Sequence, residues 1–539
     1  MKILPSGEFF VNLNCKQRLS YTAQMFKKSQ IHKQLDMFSS QANLMCDREK
    51  GQYEDPNAWH NKFYRETTSK IDEDIFKPLY TEGNANKRDG RPNAPIRILV
   101  AMRILKEGCG CSDENLYEQC RYNLLFRAAL GLFNLNDQCP SIDTYYGFYR
   151  ALAKYNDEHQ EDLFEKCFKQ ITKEQVKEYR ISGKSVRMDS KLISSNIAWY
   201  SRYEIIHETF VKSVIRMELE LIEDQIIRQQ ALEFFDEDAA KTVYRTESEA
   251  MGKRLLTLGI VIDYILTRSG KDEMALLRRV FNEQYDKTDK GEVVVRDKKL
   301  ISAKSVQNPN DPEADYRGKH GQKVKGYSTN IVETADEPDK PSLITHVDLE
   351  TASTADNTYV TGGVEGSQEV TGTKVENLYS DGAYQSPENR QYMEDHDINF
   401  VANGIQGKPS RFELEQTDDD TLEVTDKQTG EVLTATPVKE GQWKIKVTNK
   451  EGKKSWRYFA SEQIEKSKVR REVESIPFEE RKKRNNVEAT IFQYCFHTRN
   501  NKTRYRGKFK HKMQALARCA WINVRRLFLF DAKIAAQMA

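Results

Sequence analysis

Ser185-Val186-Arg187-Met188-Asp189-Ser190-Lys191-Leu192-Ile193 reads as a short strand with an acid at its heart, and its partners lie far along the chain. Ile205, Phe210, Val214, Met217, Leu221 and Ile222 recur at helical spacing directly after it, and helix pattern continues through Leu277. Strand character returns near Gly318. Residues 325–333 and 343–348 read as neighbouring strands joined by a polar turn through Pro338 and Pro341. Ala355-Asp356-Asn357 opens a helix, and residues 374–382 form a further strand ending on Asp381. Ser386-Pro387-Glu388 is a helix start, with a capping serine, a proline in the first turn and an acid at the positive end of the dipole. Residues 398–401 give one more strand. The order predicts a mixed α/β domain interrupted by a helical insertion.

A second interruption follows. Residues 421–425, 431–435, 443–447 and 456–459 alternate apolar and polar, with Thr429-Gly430, Glu440-Gly441 and Glu451-Gly452 between them. This pattern predicts an antiparallel β-meander inserted before the last helix. Upstream, residues 1–90 are mixed and weakly periodic, and the stretch from Asn84 to Asn93 is a linker by composition. Ile96, Leu99, Val100, Met102, Ile104 and Leu105 then mark a buried helix. Ser112 caps a second helix over 115–125, and Ser141 a third over 145–154. Short helices with tight turns suit a helix-turn-helix DNA-binding domain and equally suit a plain helical bundle. In the first case the helix after Ser141 is the reader, with Thr144, Tyr145 and Arg150 as contacts. The expected organisation is an N-terminal polar and helical region (1–90), a helical DNA-binding domain (91–178) and a catalytic core in three pieces (179–200, 318–405, 472–525). The helical insertion spans 201–317 and the β-rich insertion 406–471.

The charge is local. Lys plus Arg number 84 against 82 Asp plus Glu, a net +2. Yet Arg481, Lys482, Lys483, Arg484, Arg499, Lys502, Arg504, Arg506, Lys508, Lys510 and Lys512 crowd one stretch whose only acid is Glu488. Such a run suits the phosphates of nucleic acid. Cys109-Gly110-Cys111, with Cys120 and Cys139, matches no common zinc spacing and reads as reduced thiols in an apolar helical segment, zinc ligation being the alternative. No signal-peptide run and no membrane-length apolar stretch occurs, so the expected location is the cytoplasm.

Glu488 in that basic run has a reason if it holds a divalent metal against a DNA phosphate. Asp189 and Asp381 are its candidate partners. They meet if the first strand is central and Asp381 ends its neighbour, with the helix of Glu488 packed across both. Three carboxylates so placed can hold two Mg²⁺ ions, Mn²⁺ substituting, for in-line phosphoryl transfer. Arg481, Arg484 and Glu488 fall on one helical face, with Val487, Ile491 and Tyr494 on an adjacent apolar face. Each acid also has a structural reading: an edge-strand acid, a turn residue before Gly382, and an ion pair with Arg484. Trp443 and Trp456, each beside a cation, are candidate stacking platforms for a base leaving the duplex, or else core residues of the meander.

Over about residues 60–525 the chain resembles the DDE transposases of bacterial insertion sequences, which have an RNase H-like catalytic domain. Arg91-Pro92-Asn93-Ala94-Pro95 with the helices to Tyr155 is similar to that family's N-terminal DNA-binding region. Met188-Asp189-Ser190 matches its first acid, Lys325-Gly326-Tyr327 its next strand, Tyr379-Ser380-Asp381-Gly382-Ala383-Tyr384 its second acid, and Arg484-Asn485-Asn486-Val487-Glu488 its arginine–glutamate signature. Arg481 and Cys495 stand where the fuller signature has tyrosine and lysine. The resemblance implies an enzyme that binds its element's terminal inverted repeats, nicks the ends with Mg²⁺ and joins 3′ hydroxyls to target DNA. It also implies a homodimer in the synaptic complex and a nucleoid-associated bacterial protein. A nuclease of the same fold without strand transfer, or a non-catalytic DNA-binding derivative, are the rival readings.

Overall fold

The computed structural model describes residues 26–29, 38–81, 92–269, 274–319, 321–404, 407, 410–417, 421–439, 441–448 and 454–538. Most of the expected linker at 84–93 lies outside them, as do the turn residues Glu440 and Glu451-Gly452.

Thirteen strands run in chain order: β1 Ser185–Ser194, β2 Tyr285–Lys287, β3 Val293–Val295, β4 Asp315–Lys319, β5 Gln322–Thr334, β6 Ile344–Thr351, β7 Asn377–Ser380, β8 Asn399–Ala402, β9 Phe412–Gln416, β10 Leu422–Asp426, β11 Val432–Lys439, β12 Gln442–Thr448 and β13 Lys454–Ala460. The central sheet has the order β4-β5-β1-β7-β8. Along one edge β5 pairs first with β4 and then with β6, and its other edge runs antiparallel to β1. β1 is parallel to β7, and β7 to β8. The first strand is therefore central, in a mixed α/β fold with an RNase H-like core. β2, β3 and β9, all short, have no counterpart in the sequence pattern.

Close approach explains two glycines. A Cβ on Gly326 would lie 2.2 Å from the Ile193 carbonyl, so the long β5 can hug β1 only with glycine there. A Cβ on Gly366 would meet the His346 ring at 2.1 Å, which lets the helix Val360–Thr371 lie flat on β6. Val186, Met188, Val332, Val364 and Leu378 fill that layer.

On the opposite face the helix Lys508–Met538 spans the molecule. It buries Met513, Leu516, Ala517 and Val524 in one core with Leu99, Met102 and Leu105 of the helix Ile96–Cys109 and with Ile331, Ile344 and Val347 of the sheet. The N-terminal helices thus share their interior with the sheet. Ser112 and Ser141 cap helices Asp113–Tyr122 and Ile142–His159, accepting from the amides of Asn115 and Thr144.

The helical insertion differs from the sequence expectation. Its apolar spacing does not describe one continuous helix. A capping box of Ser201 and Glu204 starts Arg202–Ser213, which ends where Val214 and Ile215 turn extended, a conformation that suits their β-branched side chains. Met217 and Leu221 are exposed, while Phe210, Leu258, Val261, Ile262 and Leu277 form a separate core.

The β-rich insertion is an antiparallel sheet, β9-β10-β11-β12-β13 in sequence order, backed by the helix Ser461–Ser475. Its interior contains Trp443, only 6% exposed, with Leu422, Val424, Ile445, Val447 and Phe459. This corrects one expectation: Trp443 is packed in the sheet core and is not available to stack on a base. Trp456 lies on the other face, 49% exposed, with Lys444 and Lys446 ammoniums 4.9 and 5.7 Å from its ring. Trp443→Ala should therefore destabilise the insertion by about 3–5 kcal/mol. Trp456→Ala should leave its melting within about 0.5 kcal/mol of wild type. Thermal unfolding of both variants separates the roles.

Candidate active site

The register of β1 against β7 brings two acids together. Arg187 pairs with Tyr379 in this parallel ladder, so Asp189 and Asp381, each two residues further on, emerge side by side on one face. Neighbouring strands lie about 4.8 Å apart. Asp381 precedes the turn Gly382–Tyr384 at the strand's carboxyl end, its side chain making no capping hydrogen bond, where the sheet stops and a ligand can reach it.

Glu488 comes from a different element. The expected single helix is broken: Phe478–Lys482 is followed by a 3₁₀ turn, Lys483–Asn485, and then by Asn486–Cys495. Arg484 sits in the turn, with its Nη2 donating to Asp189 Oδ2 at 3.3 Å and its Nη1 3.4 Å from Glu488 Oε1. One guanidinium therefore bridges an acid of the central strand to the acid of the last short helix. Val487 and Tyr494 bury that helix against β1 and its neighbours, while Glu488 remains 62% exposed.

The placement of this helix rests on a buried charge network. Glu333 on β5 is fully buried and accepts from Arg187 Nε (2.5 Å), Arg526 Nη1 (2.7 Å) and the Thr490 hydroxyl (2.6 Å). Burial pushes its pKa up, but Arg526 and Arg187, with the Thr490 hydroxyl, more than reverse this and hold it below the usual range. Arg187 also donates to the Lys483 carbonyl at 3.4 Å. The central strand thus grips the turn of Arg484, and its partner strand grips the helix of Glu488. Sequence reasoning passed over these four residues, because Arg187 and Glu333 stand among other polar residues of strands β1 and β5 and nothing local marks them as a buried pair.

A second layer lies beneath Asp189. Its Oδ1 accepts from the Ser190 amide at 2.9 Å, and the Ser190 hydroxyl donates to Asp356 Oδ1 at 2.9 Å. Tyr384, fully buried, donates to Asn330 Oδ1 at 2.7 Å. Burial raises the Asp189 pKa, Arg484 and the Ser190 amide oppose this, and the charges of Asp381 and Glu488 add to the rise. The site therefore holds more negative charge than its one arginine balances. Its hard oxygen donors fit a divalent cation such as Mg²⁺, which retains waters and needs few protein ligands. Among the described residues no three His, Cys, Asp or Glu side chains stand as a ready cage, and the Arg484 guanidinium lies between Asp189 and Glu488.

The remaining expected contacts are distributed unevenly. Arg481 is half-buried, and Lys482 is exposed. Lys483 pairs with Asp336 (2.8 Å) and Glu480 (2.9 Å), and Lys508 with Glu350 (2.8 Å). Arg499 is exposed, and Lys502 Nζ donates to the Ile197 carbonyl at 3.0 Å. Arg504 donates to the carbonyls of Gly110 (3.1 Å) and Cys111 (2.5 Å) at the end of the helix Ile96–Cys109, and Arg506 to that of Asn196 (2.6 Å). Replacing Arg504 and Arg506 thus also unpins structure, so they are poor probes of phosphate contact alone. In the helix Ile142–His159, Arg150 is exposed and Thr144 half-buried. Tyr145 is 1% exposed and packed edge-on against Tyr149. This is a second correction: Tyr145 is a core residue and cannot touch base edges.

The transposase domain (DUF772) family model matches residues 52–151, and the transposase DDE domain model matches residues 288–519. The first covers the helical region up to the helix after Ser141. The second runs from the end of the helical insertion through Asp381 and Glu488, with Asp189 upstream of it. An N-terminal transposase domain joined to an RNase H-like core defines a DNA transposase of the DDE class. The chain belongs to the insertion-sequence DDE transposases. No curated protein and no solved structure matches it. No described helix is long and apolar enough to cross a membrane.

Proposed function

We propose that the protein binds the terminal inverted repeats of its own insertion sequence as a homodimer, nicks the ends and joins the free 3′ hydroxyls to target DNA. Asp189, Asp381 and Glu488 would hold two Mg²⁺ ions, with Mn²⁺ as a substitute. The observation that carries this reading is the meeting of Asp189 and Asp381 by strand register, with Arg484 bridging Asp189 to Glu488 beside a largely exposed basic run. Metal ions bound there supply activation of water or a 3′ hydroxyl and stabilisation of the leaving oxygen. Arg484 stands where it can neutralise a phosphate entering beside the acids. Lys482 and Arg499, exposed, hold the DNA backbone without reading sequence. Arg150 and Thr144 are the remaining candidates for reading the repeat from their helix. Trp456, flanked by lysines, is the remaining stacking platform in the insertion. The protein would act in the bacterial cytoplasm, on the nucleoid.

A strand-transfer assay with a pre-cleaved end tests the reading. Joining of the 3′ hydroxyl to a plasmid target supports it; cutting without joining would leave a nuclease instead. Metal binding has its own readout. Burial and the neighbouring carboxylates disfavour the charge of Asp189, so stability is lost as pH rises from the unfolded to the raised folded pKa. Asp189→Asn should therefore raise the melting temperature of the metal-free protein, at about 1 °C per kcal/mol for a chain of 539 residues. Mg²⁺ should raise the midpoint of the wild type and not that of the variant.

A further inference from the structure

At the far end of β1 from its pairing with β7, a cleft of about 570 Å³ opens between the loop after the strand and the turn that follows the Glu488 helix. None of the residues lining it is acidic, and Lys323, Arg499, Lys502 and Arg504 all face it. Trp199, 53% exposed, completes the wall.

Both sides of the cleft are held in place. The Ile197, Ala198 and Tyr200 carbonyls accept from Lys502 Nζ (3.0 Å), Asn308 Nδ2 (3.1 Å) and Lys325 Nζ (3.3 Å), so the loop carrying Trp199 is pinned on both sides of the indole. The Lys325 ammonium lies 4.9 Å from the indole centroid, which polarises the ring. Opposite, Asn500 and Asn501 both adopt left-handed backbone (φ 54° and 53°), a conformation asparagine tolerates best after glycine. That turn is bonded to the end of the strand: the Ser194 amide donates to the Asn501 carbonyl at 2.7 Å, and the Thr503 amide to the Ser194 carbonyl at 3.1 Å.

A half-exposed indole on a fixed loop, facing a wall of cations without a counter-acid, matches one ligand chemistry. We propose that this cleft binds an unpaired DNA nucleotide, its phosphates on Lys323, Arg499 and Lys502 and its base stacked on Trp199. A duplex buries its base faces and offers the indole nothing, so the occupant is the strand that parts from its complement. Ser194 lies five residues beyond Asp189 on the same strand, about 16 Å at 3.3 Å per residue. That distance is about five nucleotides of paired DNA at about 3.4 Å per step, and fewer of an unpaired, more extended strand. The assignment rests on the transposase reading for its choice of DNA and extends it to single-stranded DNA.

Binding of labelled oligothymidylate of twelve residues to the full-length protein, by fluorescence anisotropy without divalent metal, tests this apart from any cutting. The comparison probe is an abasic deoxyribose-phosphate strand of equal length. Wild type should bind the thymidylate roughly 5- to 150-fold tighter than the abasic strand, the range for one base on one aromatic ring. Trp199→Ala should erase the preference with an unchanged melting temperature, and Trp199→Phe should restore most of it. Arg499→Ala should weaken both probes alike and lower the salt dependence by about 0.7 in slope. Equal binding of both probes by wild type, or a preference that survives in Trp199→Ala, overturns the assignment. Neither outcome bears on strand transfer, and failure of strand transfer leaves this result standing.

Discussion

Asp381→Ala is expected to lower metal-dependent DNA nicking by roughly a thousandfold or more while leaving DNA affinity within about twofold of wild type. Metal-assisted charge stabilisation contributes several kcal/mol at the transition state, and each 1.36 kcal/mol is tenfold in rate. Asp381 is half-buried and forms no ion pair among the described residues, so alanine removes the proposed ligand and little else. The exposed cations proposed to hold DNA, Lys482 and Arg499, lie on other elements. The same loss is expected for Asp189→Ala and for Glu488→Ala, and the three should not add, because they act as one unit. Nicking of a labelled end by each variant, alongside a binding titration, is the measurement. Retained Mg²⁺-dependent nicking by Asp381→Ala would remove it from the site.

Glu333→Ala should be the most destabilising single change near the site, at about 3–5 kcal/mol, because it strands Arg187 and Arg526 without their shared carboxylate. The sign of its pH dependence follows from the depressed pKa. The contribution of Glu333 is complete above the ordinary glutamate range, near 4.3, and is lost as pH falls through the lower folded value. Thr490→Val is the milder probe, removing one donor to Glu333 and costing about 1–3 kcal/mol. If the network serves to place Glu488, Thr490→Val should slow nicking in protein that remains folded, and Thr490→Ser should restore it. Denaturant melts paired with nicking rates distinguish lost placement from lost fold.

Much of this arrangement was legible in the chain. Val186 and Met188 alternate with polar neighbours, and the alternation identifies β1 whatever its partners. Serines 112, 141 and 386 mark helix starts because their side chains serve backbone amides a few residues away, a local effect that sequence records directly. Convergence of the acids needed register, which sequence does not carry: Arg187 against Tyr379 is a fact of pairing. The bridging role of Arg484 depended on a 3₁₀ turn that helical periodicity does not reveal. Tyr145 was misread although Phe148, Leu152 and Tyr155 continue its apolar face at helical spacing. Trp443 belongs with Ile445 and Val447 by simple alternation, while Trp456 faces Lys446 across the ladder on the other side. The helix Lys508–Met538 escaped notice because a run of cations hides its first turns, although Met513, Leu516, Ile522, Val524 and Leu527 recur on its buried side.

Anomalous diffraction from crystals of the full-length protein soaked in Mn²⁺ tests the central claim most directly. The account predicts density for Mn²⁺ ligated by Asp189 and Asp381, with Glu488 turned from Arg484 toward the ions, and loss of that density in Asp189→Asn. Mn²⁺ bound only elsewhere at saturating concentration, with Arg484 still bridging Asp189 and Glu488, would contradict it.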